Sequence, residues 1–395
     1  MDDFMQRKIW LRSLIFVSFH WIGLCVASAQ NSNDAAPHLA TPIAIDGAIK
    51  VAIAKVNARG IAVAVIDSGQ VVYRKAFGLR NEPGQPLLSD TIMVAASLTK
   101  PVFSYFVMQL VDEGVINLDT PIAQYLPQPL PSYPKQRPYP NWSDLSGDDR
   151  WRAITPRMLL SHRSGLPNLS ALEPDGKLHI HFTPGTRFAY SGVGINLLQF
   201  VLEHGLGLDV EKEMQRRVFQ RFNMQRTSLT WQANSIENQS DGYTAIGEVR
   251  PHPRRQRAAA ASSMDTSLDD YANFVAGLIR GEGLSATSRS AMTTKQGPIT
   301  TSTEFPTFQA ELPMERRRAD LATGLGLILF DGPQGPGFFK GGHEDYAGNT
   351  FVCLEHSSRC VVLLSNDVRA EKAFPEIVAA ILGVTGTPWL WEYGS

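Results

Sequence analysis

Gly337-Phe-Phe-Lys-Gly-Gly-His343, Asn349-Thr-Phe-Val-Cys-Leu-Glu355 and Cys360-Val-Val-Leu-Leu-Ser365 are runs of strand length parted by short polar segments. Successive strands with connections this short pair antiparallel. His356-Ser357 lies midway between the last two runs, so a two-residue turn there sets Cys353 opposite Cys360. The pair then either closes an intrachain Cys353–Cys360 disulfide or stays as two buried thiols.

Outward from this sheet, Gly324–Phe330 reads as one more strand, and Ala370 to Leu382 as a helix stopped by Gly383. Near the N-terminus, Ile45 to Ala58 has helical spacing. Ile61-Ala-Val-Ala-Val-Ile66 follows as a buried strand, and Ser68-Gly69 turns it into a return strand, Val71 to Gly78. Between these halves the texture is helical. One helix begins near Ser97, with Phe103, Phe106, Val107 and Leu110 on its core face and Gly114 at its end. Others start at Thr155-Pro156 and cover Ile195–His204, Asp209–Phe222 and Ser267–Arg280. The expected fold class is α/β of the α+β kind. An antiparallel sheet is flanked by the N- and C-terminal helices on one face, and a large inserted, mostly helical region (about 98–320) covers the other. The expected boundaries are a disordered leader over 30–44, one domain over 45–385 and a C-terminal tail over 386–395.

The 395 residues include 37 Lys+Arg against 38 Asp+Glu, a net charge of -1 that argues against nucleic-acid binding. Arg7, Lys8 and Arg12 precede a 14-residue apolar run, Ser13 to Val26, and then the small residues Ala27-Ser28-Ala29. Residues 1–29 therefore read as a signal peptide. The mature chain is expected to be exported, periplasmic or secreted, with no membrane span left after cleavage.

Several chemistries lack their motifs. His343-Glu344 is followed by Ala347 where a zinc-protease helix needs its second histidine, and His179 and His181 have no partner at metal spacing, so no metal is expected. G-x-S-x-G, G-x-G-x-x-G and the phosphate-binding P-loop are absent, and no cofactor is expected. One arrangement does carry chemistry. Ser97-Leu-Thr-Lys100 opens a helix, where a spacing of three puts a hydroxyl and an amine on one face. A serine needs a base to become a nucleophile, and a lysine can serve only where burial or a nearby cation lowers its pKa.

Four elements occur in order: Ala96-Ser97-Leu-Thr-Lys100-Pro101, Leu159-Leu-Ser-His162-Arg-Ser-Gly-Leu-Pro167, Pro184-Gly-Thr-Arg-Phe-Ala-Tyr190-Ser-Gly192 and Phe339-Lys340-Gly341-Gly342. This set resembles the serine β-lactamase and penicillin-binding-protein superfamily, in its class C β-lactamase, D-alanyl-D-alanine carboxypeptidase and esterase branch. The likeness runs from about Ile45 to Leu382. It implies Ser97 as the acylated nucleophile, Lys100 as its base and Tyr190 as the proton shuttle. Lys340, Gly341 and Gly342 would form the substrate-binding strand, and the backbone N–H groups of Ser97 and His343 the oxyanion hole. His162 would serve its loop structurally. Ser132-Tyr-Pro-Lys135, Tyr139-Pro-Asn141 and Lys295-Gln-Gly297 are decoys for the same motifs.

Two residues depart from the pattern: Gly192 stands where the family has asparagine, and Gly341 where it has threonine. On this reading both contacts are simply missing, and Gly192→Asn together with Gly341→Thr should improve nitrocefin turnover more than ester turnover. The implied function is an exported serine hydrolase working through an acyl-enzyme on small ester, amide or peptidoglycan-derived D-amino-acid peptide substrates. Two alternatives stand beside it: a true class C-type β-lactamase, and a non-hydrolytic sensor that binds peptidoglycan or β-lactam.

Overall fold

The computed structural model describes residues 39–394. The stretch read as a signal peptide, and the leader up to residue 38, lie outside them. Helix α1, Pro42–Lys55, begins inside the span expected to be a disordered leader. Thr41 accepts a hydrogen bond from Ala44 N, and Pro42, with no N–H to satisfy, takes the first turn.

Strands β1 (Gly60–Asp67) and β2 (Gln70–Gly78) form the expected hairpin, with Ser68 and Gly69 both at positive φ in its turn. Late in the chain come β3 (Gly297–Pro298), β4 (Leu321–Thr323), β5 (Ile328–Gly332), β6 (Gly335–Glu344), β7 (Ala347–Leu354) and β8 (Arg359–Ser365). They join β1 and β2 in one antiparallel sheet of order β2-β1-β8-β7-β6-β5-β4-β3. The run expected as one strand over Gly324–Phe330 is broken instead. Gly326 turns at φ +74, and a side chain there would meet Ser104 Oγ at 2.0 Å, so close approach to the central helix displaces strand geometry.

In the β7–β8 hairpin Cys353 faces Cys360, and Ser358 N donates to Glu355 O across His356-Ser357, the turn read from the sequence. The two sulfurs are bonded.

β1 is buried on both faces, which explains its unbroken apolar run. Ile61, Val63 and Val65 pack with α1 and with α6, Phe374–Leu382, near the C-terminus. Ala62, Ala64 and Ile66 face the helical region, where α5 (Leu268–Arg280) lies against the sheet. The sheet is thus covered on one side by the terminal helices and on the other by the insertion, as expected. Within the insertion, α2 (Thr99–Asp112) is buried from Thr99 through Leu110, on all sides rather than on one face. Two shorter pieces matter below: α3, Pro156–Leu160, capped by Thr155, and α4, Gly192–His204, capped by Ser191. The segment read as a tail holds a last short helix, α7, Trp389–Tyr393. Among the described residues no helix is long and apolar enough to cross a membrane.

Candidate active site

Ser97 sits in a single 3-10 turn, Ala96–Leu98, that feeds directly into α2. Ala96 holds φ +49, a region that favours glycine, so the turn carries strain that its surroundings must hold. They do so from several sides. Ala95 N donates to Met264 O at 2.9 Å, the Thr99 hydroxyl to Ala96 O at 2.6 Å and the Tyr271 hydroxyl to Leu98 O at 3.2 Å. β6 pairs with β5 only as far as Phe339, and beyond that point it packs against the Ser97 turn. A Cβ on Gly342 would stand 2.5 Å from Ala95 O, so glycine is required where strand and turn meet.

Lys100 lies one helical turn on, its Nζ 2.9 Å from Ser97 Oγ and donating to Ala261 O at 2.7 Å. The Tyr190 hydroxyl donates to Ser97 Oγ at 2.7 Å. Lys100 and Lys340 approach the Tyr190 ring at 4.7 and 4.8 Å from its centroid. Lys100, Tyr190 and Lys340 are buried, while Ser97 is half-buried. The sequence-predicted Ser97, Lys100, Tyr190, Lys340, Gly341 and Gly342 therefore converge. His343 is different: its side chain is exposed and its Nδ1 lies 2.9 Å from Glu371. The decoys fall elsewhere. The Ser132 hydroxyl donates to Pro129 O, Tyr139 bonds Glu203, and Lys295 pairs with Asp331.

Tyr190 is aimed by the Leu159–Pro167 element that follows α3. His162, at φ +54, takes the Ser191 N–H on Nδ1 at 3.1 Å, accepts Ala189 N on its carbonyl and lays its ring 4.6 Å from that of Tyr190. Burial, with the nearby Lys340 charge adding to it, pushes His162 well below the usual histidine range, so its ring is neutral. Burial likewise pushes Lys100 well below the ordinary lysine range, with the Lys340 charge adding to it. Burial raises Tyr190, aided by Glu304 and Glu392, although Lys340 pulls the other way. Lys340 keeps its proton: burial alone would lower it, but the carboxylates of Glu304 and Glu392 outweigh that and raise it.

Those two carboxylates were not visible in the sequence. Glu304 and Glu392 lie 3.6 and 3.7 Å from Lys340 Nζ, with side chains 4% and 5% exposed. Glu304 belongs to the loop between β3 and β4, and Glu392 to α7. The two segments are tied by Glu304 N donating to Trp391 O at 2.8 Å and Trp391 Nε1 to Thr301 Oγ1 at 3.2 Å. Phe305, next in the loop, meets Tyr190 edge-on at 5.4 Å.

The glycine slots are filled, which corrects the reading that their contacts are simply missing. A Cβ on Gly341 would stand 1.9 Å from Glu392 Oε1. One on Gly192 would stand 2.8 Å from both Asn168 O and Asn168 Oδ1, and Gly192 N donates to Asn168 Oδ1 at 3.0 Å. Asparagine at 192 would press on the Asn168 backbone carbonyl, and threonine at 341 would have to displace the end of the Glu392 side chain.

Residues 45–384 match the family model Beta-lactamase. The chain belongs to the Beta-lactamase family, and with it to the serine hydrolases. It is 27% identical over 245 residues to the D-alanyl-D-alanine-carboxypeptidase/endopeptidase AmpH of Escherichia coli (strain K12), covering 55% of this chain and 57% of AmpH. Esterase EstB of Burkholderia gladioli is 33% identical over 108 residues, covering 27% of this chain and 24% of EstB. Both matches span less than two thirds of the relative's own length. Among solved structures, the octameric penicillin-binding protein homologue from Pyrococcus abyssi superposes with a TM-score of 0.66 at 21% identity, covering 87% of this chain and 78% of that one. D-alanine carboxypeptidase AmpC from Burkholderia cenocepacia superposes with a TM-score of 0.65 at 16% identity, covering 86% and 98%. These likenesses show the fold, the mixed α/β architecture with its antiparallel sheet.

Proposed function

We propose that this chain hydrolyses small ester substrates through an acyl-enzyme on Ser97, and that it does so after export. The observation that carries the reading is the Ser97 hydroxyl set between Lys100 Nζ at 2.9 Å and the Tyr190 hydroxyl at 2.7 Å, with Lys100 held neutral by burial. A neutral amine that donates to Ala261 O keeps its lone pair for the Ser97 proton. Tyr190, raised in pKa, stays protonated and is a donor rather than a base.

Ser97 Oγ attacks the substrate carbonyl carbon as its proton passes to Lys100. The C–O bond to the leaving alcohol breaks, and that oxygen receives the proton from Lys100 with the Tyr190 hydroxyl as relay. Water then gives a proton to the same amine and attacks the acyl carbon. Ser97 Oγ leaves and takes the proton back, releasing the acid. The backbone N–H groups of Ser97 and His343 serve the oxyanion, a role supported by β6 running beside the Ser97 turn. Ester hydrolysis is favoured over β-lactam or D-alanyl peptide hydrolysis because Glu392 and Asn168 fill the two glycine slots. The bonded Cys353–Cys360 pair and the signal-like first 29 residues support export.

A fluorophosphonate probe should add its mass to the peptide holding Ser97, and Ser97→Ala should lower kcat for a nitrophenyl ester by about 10⁴. Labelling of another serine with activity kept in Ser97→Ala would overturn the assignment. Faster turnover of nitrocefin or a D-Ala-D-Ala peptide than of esters would overturn the substrate class.

A further inference from the structure

Lys340 is the one cation of the site that keeps its proton, and it is the group an anionic substrate would seek. The chain has already answered it. Glu392 Oε1 occupies the space that a side chain at Gly341 would take, next to Lys340 on β6, and Glu304 approaches the same ammonium from the neighbouring loop. Neither carboxylate is an exposed rim charge. Both side chains are about as buried as Lys340 itself, and Glu304 Oε1 and Glu392 Oε2 have no hydrogen-bond partner to draw them elsewhere. Their backbones are fixed to each other through Trp391, so loop and α7 form one cap over the lysine.

Resting on the acyl-transfer reading above, we infer that Glu304 and Glu392 are specificity-determining residues. They act as a built-in counter-ion that occupies the carboxylate subsite at Lys340 and confines the enzyme to esters carrying no carboxylate. An incoming carboxylate would have to displace Glu392 from the Gly341 slot and would meet two carboxyl groups in a buried setting, where like charges are costly. A neutral ester needs only Ser97, its base and the oxyanion donors. Lys340 would then serve as a fixed positive charge that keeps Lys100 neutral, a positioning role, while its capacity to bind anions is used up internally.

The two carboxyl groups back each other up. One ammonium balances one carboxylate, so the other holds a proton: burial and the Glu392 charge push Glu304 up to about 8, against the pull of Lys340. At pH 7, removing one carboxylate lets the other ionise, and the charge of the cluster does not change. The informative variant is therefore Glu304→Gln with Glu392→Gln, in which an incoming carboxylate can take over as the counter-ion that holds the proton on buried Lys340.

The test compares matched ester pairs that differ by a carboxylate on either side of the scissile bond. The pairs are 4-nitrophenyl butyrate against mono-4-nitrophenyl glutarate, and phenyl butyrate against 3-carboxyphenyl butyrate. In the wild type the anionic member should have a kcat/KM lower by about 10- to 100-fold in both pairs, the scale of one interaction with a charged group. The double variant should close that gap by at least about 10-fold. Should the double variant not fold, Glu392→Gln alone is measured at pH 9. There the wild-type cluster has lost the Glu304 proton, whereas the variant keeps one carboxylate per ammonium, so the gap narrows in the variant. Around Glu304 the groups to be considered are Lys340, Glu392, Tyr393, Lys100 and Tyr190. Equal turnover of both members by the wild type, or a gap untouched by the folded variants, overturns the proposal while Ser97-dependent esterase activity stands. No Ser97-dependent turnover of any ester defeats instead the reading on which it rests.

Discussion

A protonated Lys100 would be a poor neighbour for Ser97, since an ammonium with every valence filled cannot take the hydroxyl's proton. The residue is buried, its one backbone partner is a carbonyl, and Lys340 bears on it across the Tyr190 ring. Two lysines and a tyrosine share the site, so that either a neutral Lys100 or an ionised Tyr190 would relieve the crowding of positive charge. Burial favours the neutral amine, because it lowers the lysine and raises the tyrosine. The acidic limb of kcat/KM should therefore fall well below the ordinary lysine range, with the rate level before pH 10. A profile that climbs through about pH 10.4 in a single lysine-like step would contradict it. Lys100→Arg puts a permanent charge where the neutral amine stood and abolishes the base, so it should cost at least about 10³ in kcat.

At the level of elements, the motifs that could be read were those whose partners lie close in sequence or in a strongly patterned segment. Ser97 and Lys100 share one helical turn, and the register of Cys353 and Cys360, seven positions apart, follows from the short turn between Leu354 and Arg359. Thr155 announces its helix as a cap, whereas the helix read from Ile195 begins earlier, at Gly192 behind the Ser191 cap. Glu304 and Glu392 gave no such signal. The first lies in an aperiodic loop and the second among ten terminal residues read as a tail. What makes them functional is a long-range meeting through Trp391 that no local pattern encodes. Gly341 was the one trace, a departure from a family pattern whose cause lay about 50 residues away. The correction is itself testable. Gly341→Thr alone should destabilise the protein by about 1–3 kcal/mol, the range for overpacking, because its Cβ claims the place of Glu392 Oε1. In a Glu392→Gly background the same substitution should cost markedly less. A double-mutant cycle by urea denaturation measures the coupling, and strict additivity would show that the slot is not shared.

Taken whole, the molecule brings its candidate site together where the insertion meets the sheet: Ser97 and Lys100 come from one layer, Lys340 from the other, and the cap from the β3–β4 loop with α7. The layering was legible because the strand-length runs gather at the two ends of the chain and the helical texture lies between them. The charge state of the interior was not, since it depends on how many carboxylates reach one ammonium. That state has a consequence for stability. Glu304 is raised from 4.5 to about 8, chiefly by burial and then by Glu392. The folded protein thus keeps a proton that the unfolded chain releases above about pH 4.5. A carboxyl raised in this way contributes stability that is full below the unfolded value and is lost as pH rises through the folded one. Glu304→Gln mimics the protonated form at every pH. Lys100 and His162, both held neutral, tilt the absolute curve the other way, so the informative quantity is the difference between variant and wild type. Relative to the wild type, the variant should gain stability steadily between about pH 5 and 8, by up to about 1.4 kcal/mol per pH unit, and level off above that. Urea melts of both proteins at intervals across this range read the slope directly. A difference that stays constant from pH 5 to 8 would mean that Glu304 is ionised throughout and that the buried cluster carries a net negative charge.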